Sequence, residues 1–252
     1  MHVVVCVKQI PDPATPYVLE QGTNWLVRPS DQVLDDTDRY GVEMGLQLAQ
    51  ANEGTVTLVS MGPTGNAQGI RQALAMGADR AILVDDTGLR GSDALTTARV
   101  LAAVIARDDY DLVITGTEST DGYSGVVPQM VAELLSIPSL TYATKVDVGD
   151  DGVTIHRQTA AGYDEVASSL PALVSVTAGV VEPRYPTFKG IMDAKKKPMD
   201  TLTTEELGIE PTSDQTILAI ADAPERSGGE KIVDEGDAHL RIVELLELRK
   251  VI

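Results

Sequence analysis

The sequence is poor in cysteine, in aromatic side chains and in long apolar runs. Its 252 residues include one Cys, one Trp and one Phe, and aromatic residues make up 4% of the chain. A single cysteine, Cys6, excludes a disulfide framework or a cysteine-based zinc cluster. No apolar run approaches the ~18 residues that a membrane-spanning helix needs, and no basic, apolar signal segment opens the chain. We therefore expect a soluble cytoplasmic protein with no membrane insertion.

Positive charge is also scarce. The chain has 20 Lys and Arg against 38 Asp and Glu, which gives a formal net charge of −18. A surface this acidic repels nucleic-acid backbones and anionic lipids, so neither is an expected partner. The acidity is equally consistent with a salty cytoplasm and with simple solubility, and composition alone does not separate the two.

Familiar catalytic constellations are missing as well. The sequence holds no G-x-S-x-G nucleophile elbow, no H-E-x-x-H helix and no Cys/His pair placed for nucleophilic work. Its adjacent carboxylates, Asp35-Asp36 and Asp85-Asp86, are more typical of helix caps and turns than of metal ligands. We expect no metal site and no catalytic residue, which favours a binding or carrier role.

Apolar runs and helix-periodic segments alternate in the first half of the chain. Apolar or β-branched runs at 2–7, 55–60, 81–84 and 112–114 are each followed by a segment with helical spacing. This alternation predicts an α/β fold with a doubly wound, mostly parallel, Rossmann-like sheet. Ligands of such sheets sit beyond the carboxyl ends of the strands.

The pattern changes after residue 138. Residues 139–143, 153–156 and 173–176 are strand-like with no helix between them, and they predict extra edge strands, partly antiparallel. Residues 182–198 lack periodicity and predict an irregular segment.

The C-terminal part of the chain predicts an arm. Residues 199–252 contain 5 Lys or Arg and 13 Asp or Glu, and only 238–251 is strongly helical, with apolar residues around much of its circumference. We divide the chain into an α/β nucleotide-binding domain, residues 1–190, and an arm, residues 191–252, whose last helix docks on another subunit. A last helix that packs on its own domain is the alternative.

Residues 109–135 predict a strand, a glycine-rich loop and a helix. The loop contains Gly116, Gly122 and Gly125, and helical spacing begins at Val126. Glycines let a ligand approach the backbone, and the first turn of a helix offers unpaired N–H groups to an anion. We interpret residues 125–127 as a seat for a nucleotide phosphate. An ordinary strand-to-helix connection is the alternative, because the spacing matches neither G-x-G-x-x-G nor a Walker loop.

Several stretches in order resemble the beta subunit of electron transfer flavoprotein. They are VVVCVKQ at 3–9, RQALAMGADRA at 71–81, the loop from Gly116 to Gly125, PALVSV at 171–176, EPRYP at 182–186 and IMDAKKKP at 191–198. The stretches ALAMGADRA and EPRY with IMDAKKK are highly specific, and the matches span most of residues 3–198.

The resemblance implies a heterodimer with a larger alpha subunit that holds most of the redox-active FAD. Such a beta subunit helps to accept electrons from flavin dehydrogenases, such as acyl-CoA dehydrogenases, and to pass them to a quinone-linked acceptor. It also buries an AMP, or a second FAD in members that split electron pairs. A flavin-bifurcating variant that binds a second FAD and NADH, and a stand-alone nucleotide-binding regulator, are the alternative functions.

The resemblance also implies two sets of contact residues. The nucleotide would contact Cys6, Asp35, Asp38, Met61, Gly116, Thr117, Glu118, Ser119, Thr120, Asp121, Gly122, Tyr123, Ser124, Gly125, Val126 and Val127. Partner proteins would contact Arg184, Tyr185, Phe188, Ile191, Met192 and Lys195. Phe188, where the family often has Leu, would be the apolar anchor for partner dehydrogenases.

Overall fold

The computed structural model describes residues 1–62, 65–221, 223, 229 and 231–252. The chain divides into a large compact unit, Met1–Ile217, and a small one, Leu218–Ile252. None of the helices in the described residues is long and apolar enough to cross a membrane. The domain boundary at residue 190 and the docking of the arm remain predictions.

Strands and helices alternate through the first half of the large unit. The strands are β1 (His2–Cys6), β4 (Thr55–Met61), β5 (Arg80–Val84) and β6 (Leu112–Gly116). The helices that follow them in turn are α1 (Asp36–Ala51), α2 (Gln68–Met76), α3 (Ala94–Ile105) and α4 (Val127–Leu135). An excursion between β1 and α1 includes the short antiparallel pair β2 (Gln9–Ile10) and β3 (Val33–Leu34).

The second half of the unit adds strands to the same sheet. They are β7 (Ser139–Gly149), β8 (Gly152–Thr159), β9 (Gly162–Ser168), β10 (Ala172–Val176) and β11 (Met199–Leu202). In the described part of the chain the sheet has 9 strands, in the order β11-β5-β4-β1-β6-β10-β7-β8-β9. Within this 9-stranded sheet, only the pairs β7–β8 and β8–β9 are antiparallel. The predicted α/β fold with a mostly parallel sheet is confirmed.

Two strands form without a strong sequence signal. The side chains of β9 are largely exposed, and those of β11 are exposed or only partly buried. Neither strand shows the alternation of apolar and polar residues that predicts a strand. β9 exists because it pairs with β8, and β11 because it pairs in parallel with β5. Residues 173–176 form β10, which lies between β6 and β7, and the three strands predicted after residue 138 all lie on one side of β6, as expected.

The prediction of an irregular segment at 182–198 is partly wrong. Helix α5 (Phe188–Ala194) begins after Thr187, whose hydroxyl accepts the Gly190 N–H at 3.0 Å. Only Ala194 of this helix is buried, and the helix has only 7 residues, which is too short for its apolar spacing to stand out as a periodic pattern. In the small unit the predicted C-terminal helix is present as α6 (Ala238–Leu248), none of whose residues is buried.

Alternate side chains of β1 build two cores. Val3 and Val5 pack with α1 and α2 on one face, and Val4 and Cys6 pack with α3 and α4 on the other. Helix α1 lies unusually close to β1, because a Cβ atom on Gly45 would be 2.8 Å from Val5 Cγ2. Glycine lowers the stability of an isolated helix, but at position 45 the close packing of α1 on β1 leaves no room for a larger side chain.

We expect Gly45→Ala to destabilise the large unit by about 1–2 kcal/mol. Overpacking against the buried, β-branched Val5 at 2.8 Å costs about 2–3 kcal/mol, and the higher helix propensity of alanine returns roughly 1. Gly149→Ala is the control, since nothing lies within 4 Å of its added Cβ. Denaturant unfolding of both variants measures the effect, and equal stability of the two would contradict this packing.

Candidate functional site

The strand order creates one crevice at the carboxyl edge of the sheet. β1 lies between β4 and β6 and runs parallel to both. The chain proceeds from β1 to β4 and β5 on one side, then returns to β6 on the other side. The loops after β1 and β6 therefore diverge to opposite faces, which is where open α/β sheets bind their ligands.

The predicted nucleotide contacts meet at this edge. Cys6 ends β1, Met61 ends β4, and Asp35 and Asp38 lie at the start of α1. The glycine loop, residues 116–126, connects β6 to α4. These segments are far apart in sequence, and the parallel sheet brings them together. Their contact with a nucleotide stays a prediction.

Asp35 joins the start of α1 to the glycine loop. Its side chain is fully buried and caps α1, since Oδ1 accepts from the Thr37 N–H at 3.0 Å and the Thr37 hydroxyl at 2.8 Å. The other oxygen, Oδ2, accepts from the Thr120 N–H at 2.7 Å and the Thr120 hydroxyl at 3.0 Å. One carboxylate thus satisfies donors from both walls of the crevice.

Asp121 forms ion pairs with two cations near the loop. Its carboxylate, 1% exposed, accepts from Lys8 Nζ at 2.7 Å and from an Arg28 terminal nitrogen at 2.5 Å. Burial alone would raise the pKa of Asp121, but Lys8 and Arg28 outweigh it and hold the pKa below its ordinary value. The carboxylate therefore stays ionised and binds both cations at once.

Asp38 and Cys6 are buried near the carboxyl end of β1. Asp38 Oδ2 accepts the Lys8 N–H at 2.6 Å. Burial and then the neighbouring Asp35 raise the pKa of Asp38 well above its usual value, against the opposing Lys8. Burial, with Asp38 as second cause, raises the pKa of the Cys6 thiol to about 12. Cys6 is therefore a neutral packing residue and no nucleophile at physiological pH.

The start of α4 is open to an anion. Gly125 has φ +64°, a left-handed conformation that favours glycine. No side chain caps α4 in the described chain, and Pro128, which has no N–H, occupies its first turn. The backbone at 125–127 therefore presents N–H groups at the positive end of a helix.

A cleft that the sequence did not predict lies beside the loop. It has a volume of about 350 Å³ and is lined by Pro13, Thr15, Tyr17, Thr120 and Tyr123. Pro13, Thr15 and Tyr17 belong to the excursion, which has weak periodicity. Two residues of the excursion contact the rest of the large unit. Arg28 binds Asp121, and Trp25, the only Trp of the sequence, packs so closely on Gly91 that a Cβ atom at position 91 would have no room.

The predicted partner-binding residues divide into two groups. Tyr185 and Phe188 are 86% and 83% exposed, Ile191 and Met192 are about half exposed, and Lys195 is exposed. Arg184 instead turns inward: its Nε and a terminal nitrogen donate to the Glu43 carboxylate of α1 at 2.7 and 2.9 Å. Contact of all six residues with partners stays a prediction.

Three consecutive lysines, residues 195–197, follow α5, and one of them makes hydrogen bonds within the large unit. Lys197 Nζ donates to the carbonyl oxygens of Leu74 and Ala78 at 3.0 and 2.6 Å, beside the last turn of α2. A cation there satisfies backbone carbonyls that the helix leaves unpaired. Burial lowers the pKa of Lys197. The run is therefore only partly a free basic surface.

Comparison with known proteins gives consistent matches. The family model for the electron transfer flavoprotein domain matches residues 23–207. This chain is 39% identical to a protein of Mycobacterium tuberculosis named electron transfer flavoprotein subunit beta, and the match covers 100% of this chain and 99% of the relative. It is 32% identical to a protein of the same name from Thermoanaerobacterium thermosaccharolyticum, and that match covers 100% of both chains. CarD of Acetobacterium woodii, named as a subunit of the caffeyl-CoA reductase-Etf complex, is 32% identical and covers 92% of each chain.

We expect Arg184→Ala to destabilise the large unit by about 2–3 kcal/mol at pH 7, because it leaves Glu43, whose side chain is 3% exposed, without its cation. Burial raises the pKa of Glu43, but Arg184 and Gln47 hold it below its ordinary value. The stabilisation is therefore present at neutral pH and is lost as pH falls through the folded-state pKa.

Urea unfolding of wild type and Arg184→Ala between pH 3 and pH 7 checks this. The difference between them should shrink toward the acidic end, because protonation of Glu43 removes the charge that Arg184 balances. Lys145→Ala is the control, because Lys145 and its partner Asp147 are 57% and 61% exposed, and it should change little. A deficit that is constant with pH would contradict the role given to the ion pair.

Proposed function

Because the chain belongs to the electron transfer flavoprotein family and matches its beta subunits over their full length, we propose that it is the beta subunit of a heterodimeric electron carrier. In this proposal it works in the cytoplasm with an alpha subunit. The pair accepts electrons from flavin dehydrogenases, such as acyl-CoA dehydrogenases, and passes them to a quinone-linked acceptor.

The crevice between the loops after β1 and β6 carries the proposal for this chain. Family membership implies association with a flavin. We assign the redox-active FAD mainly to the alpha subunit and an AMP to the crevice. The chain then transforms no substrate itself. It holds the nucleotide, packs on the alpha subunit and presents a surface to dehydrogenases.

The start of α4 supports a phosphate group in the crevice. Lys8 and Arg28 bind Asp121, and Asp35 and Glu118 add negative charge nearby. The backbone N–H groups at the start of α4 supply positive potential that suits one phosphate group, and we assign this position to the phosphate of AMP.

Coexpression with the alpha subunit of the same organism should yield a yellow heterodimer with one flavin and one AMP. Mass spectrometry of nucleotides released by denaturation, with flavin counted by absorbance, measures both. Two flavins per heterodimer would replace this function with the bifurcating one. A colourless chain that elutes alone in size-exclusion chromatography would favour a stand-alone nucleotide-binding regulator.

The exposed apolar face around α5 supports docking of dehydrogenases. Phe188, Ile191 and Met192 follow helical spacing, and Tyr185 precedes them. Ion pairing of Arg184 with Glu43 holds the preceding backbone in place. An aromatic side chain presented on a fixed backbone is typical of an interface hot spot.

We expect Phe188→Ala to lower kcat/KM for a partner dehydrogenase by about 10- to 100-fold, the usual cost of removing such an anchor. Phe188→Leu should retain most activity, since it keeps an apolar anchor. Tyr163→Ala, which removes an aromatic side chain that is 62% exposed on β9, is the control. Steady-state reduction of the heterodimer by the dehydrogenase measures all three, and unchanged kinetics for Phe188→Ala would refute docking at this face.

Helix α6 is proposed to dock on the alpha subunit. Its side chains Leu240, Ile242, Leu245 and Leu248 are each more than half exposed. A helix with apolar residues on so much of its circumference is stable in water only when another surface covers them.

A further inference from the structure

The chain between β11 and the small unit runs past the start of α3. We call residues 203–217 the exit segment, because through them the chain leaves the large unit for residues 218–252. The side chains of residues 212–217 are all exposed, so apolar packing does not hold this end of the exit segment. Its backbone is held by hydrogen bonds instead.

The first half of the exit segment is attached at Asp86, which follows β5. Asp86 Oδ2 accepts the Thr204 hydroxyl at 2.6 Å and the Thr204 N–H at 3.3 Å, and Oδ1 accepts the Gly88 N–H at 2.8 Å. Leu207 and Ile209 add apolar contacts, since both pack against the core that contains α3. This half therefore stays in place independently of contacts farther along the chain.

The second half is attached by two residues at the start of α3. Asp93 caps the helix, since Oδ1 accepts the Thr96 N–H at 2.8 Å, and its Oδ2 accepts the Asp214 N–H at 2.9 Å. Thr96, which is buried, donates its hydroxyl to the Thr212 carbonyl oxygen. Burial raises the pKa of Asp93, but the N–H groups of Thr96 and Asp214 hold the pKa below its ordinary value. The bond to Asp214 is therefore charge-assisted, which strengthens it.

Exposed apolar side chains begin directly after this attachment. Ile217, Leu218 and Ile220 are each about half exposed or more, and the first of them is three residues after Asp214. A chain that is already fixed loses less conformational freedom on binding a partner than a free one does.

We propose that Asp93 and Thr96 are positioning residues for the binding of the alpha subunit. They fix the backbone from which the chain leaves the large unit, so less conformational entropy is lost when the small unit docks. The inference rests on the proposed function, since it assumes that α6 docks on the alpha subunit. Neither residue has to touch the alpha subunit for this effect.

The test compares variants that release the exit segment with matched ones that keep it attached. Thr96→Val removes the hydroxyl donor and keeps the shape of the side chain, whereas Thr96→Ser keeps the donor. Asp93→Asn keeps one acceptor for the cap of α3 and loses the second, because the amide nitrogen donates and does not accept. Asp108→Asn is the control, since Asp108 forms an ion pair with Arg80 and its side chain is 45% exposed.

Two measurements are made on each protein. Hydrogen exchange of the full-length chain reports whether residues 210–217 are fixed. Sedimentation velocity of the purified heterodimer on dilution gives its dissociation constant. Thermal unfolding followed by circular dichroism verifies that each variant is folded.

Thr96→Val and Asp93→Asn should exchange faster at residues 210–217, while exchange within α3 stays as in wild type. Their heterodimers should have a dissociation constant about 5- to 30-fold higher, which corresponds to ordering the backbone of about one more residue on binding. Thr96→Ser and Asp108→Asn should match wild type in both measurements. Rescue by serine is not expected if residue 96 acts only through its volume.

Three results would overturn the inference and leave the proposed function intact. One is unchanged exchange at residues 210–217 in both releasing variants. Another is faster exchange there with an unchanged dissociation constant. The third is a tighter heterodimer for Thr96→Val, which would mean that the attachment opposes docking. If the wild-type chain forms no heterodimer at all, the proposed function fails and the inference fails with it.

Discussion

The crevice depends on one buried carboxylate that serves two loops at once. Asp35 begins α1 by accepting from Thr37, and its second oxygen accepts both donors of Thr120 in the loop after β6. A fully buried carboxylate requires such donors, because an unpaired charge in the interior costs several kcal/mol. The start of α1 and the glycine loop are therefore held together, and the backbone that a ligand would touch is positioned before the ligand arrives.

A chain with a formal net charge of −18 can still bind an anion because local arrangement decides the potential at the site. Lys8 and Arg28 serve as structural cations that hold Asp121 and, through it, the loop. In the proposed function, the phosphate binds the backbone dipoles at the start of α4, where Gly125 turns the chain. The side chains that fix the shape of the loop are then different groups from those that would bind the ligand.

The surface around α5 follows a similar division between polar and apolar side chains. Arg184 and Lys197 point inward, to Glu43 and to the last turn of α2, and fix the segment on the large unit. Tyr185 and Phe188 point outward and are almost fully exposed. The charged side chains hold the backbone of this segment in place, while the aromatic side chains are exposed. Such a segment loses little conformational freedom when a partner binds, which favours an interaction surface.

The alternation of apolar runs and helical segments was sufficient to predict the parallel α/β sheet, its carboxyl-edge crevice and most helices, because those signals are local and repeat along the chain. Specific sequence motifs also indicated the protein family. Other features are determined only by tertiary structure. Strand β9 exists through pairing with β8, Gly45 is needed because α1 packs on β1, and Arg184 turns inward because Glu43 lies opposite it. The cleft beside Tyr17 forms where the excursion crosses the glycine loop. These depend on contacts between residues distant in sequence, and the pattern of a single chain does not record which distant residues meet.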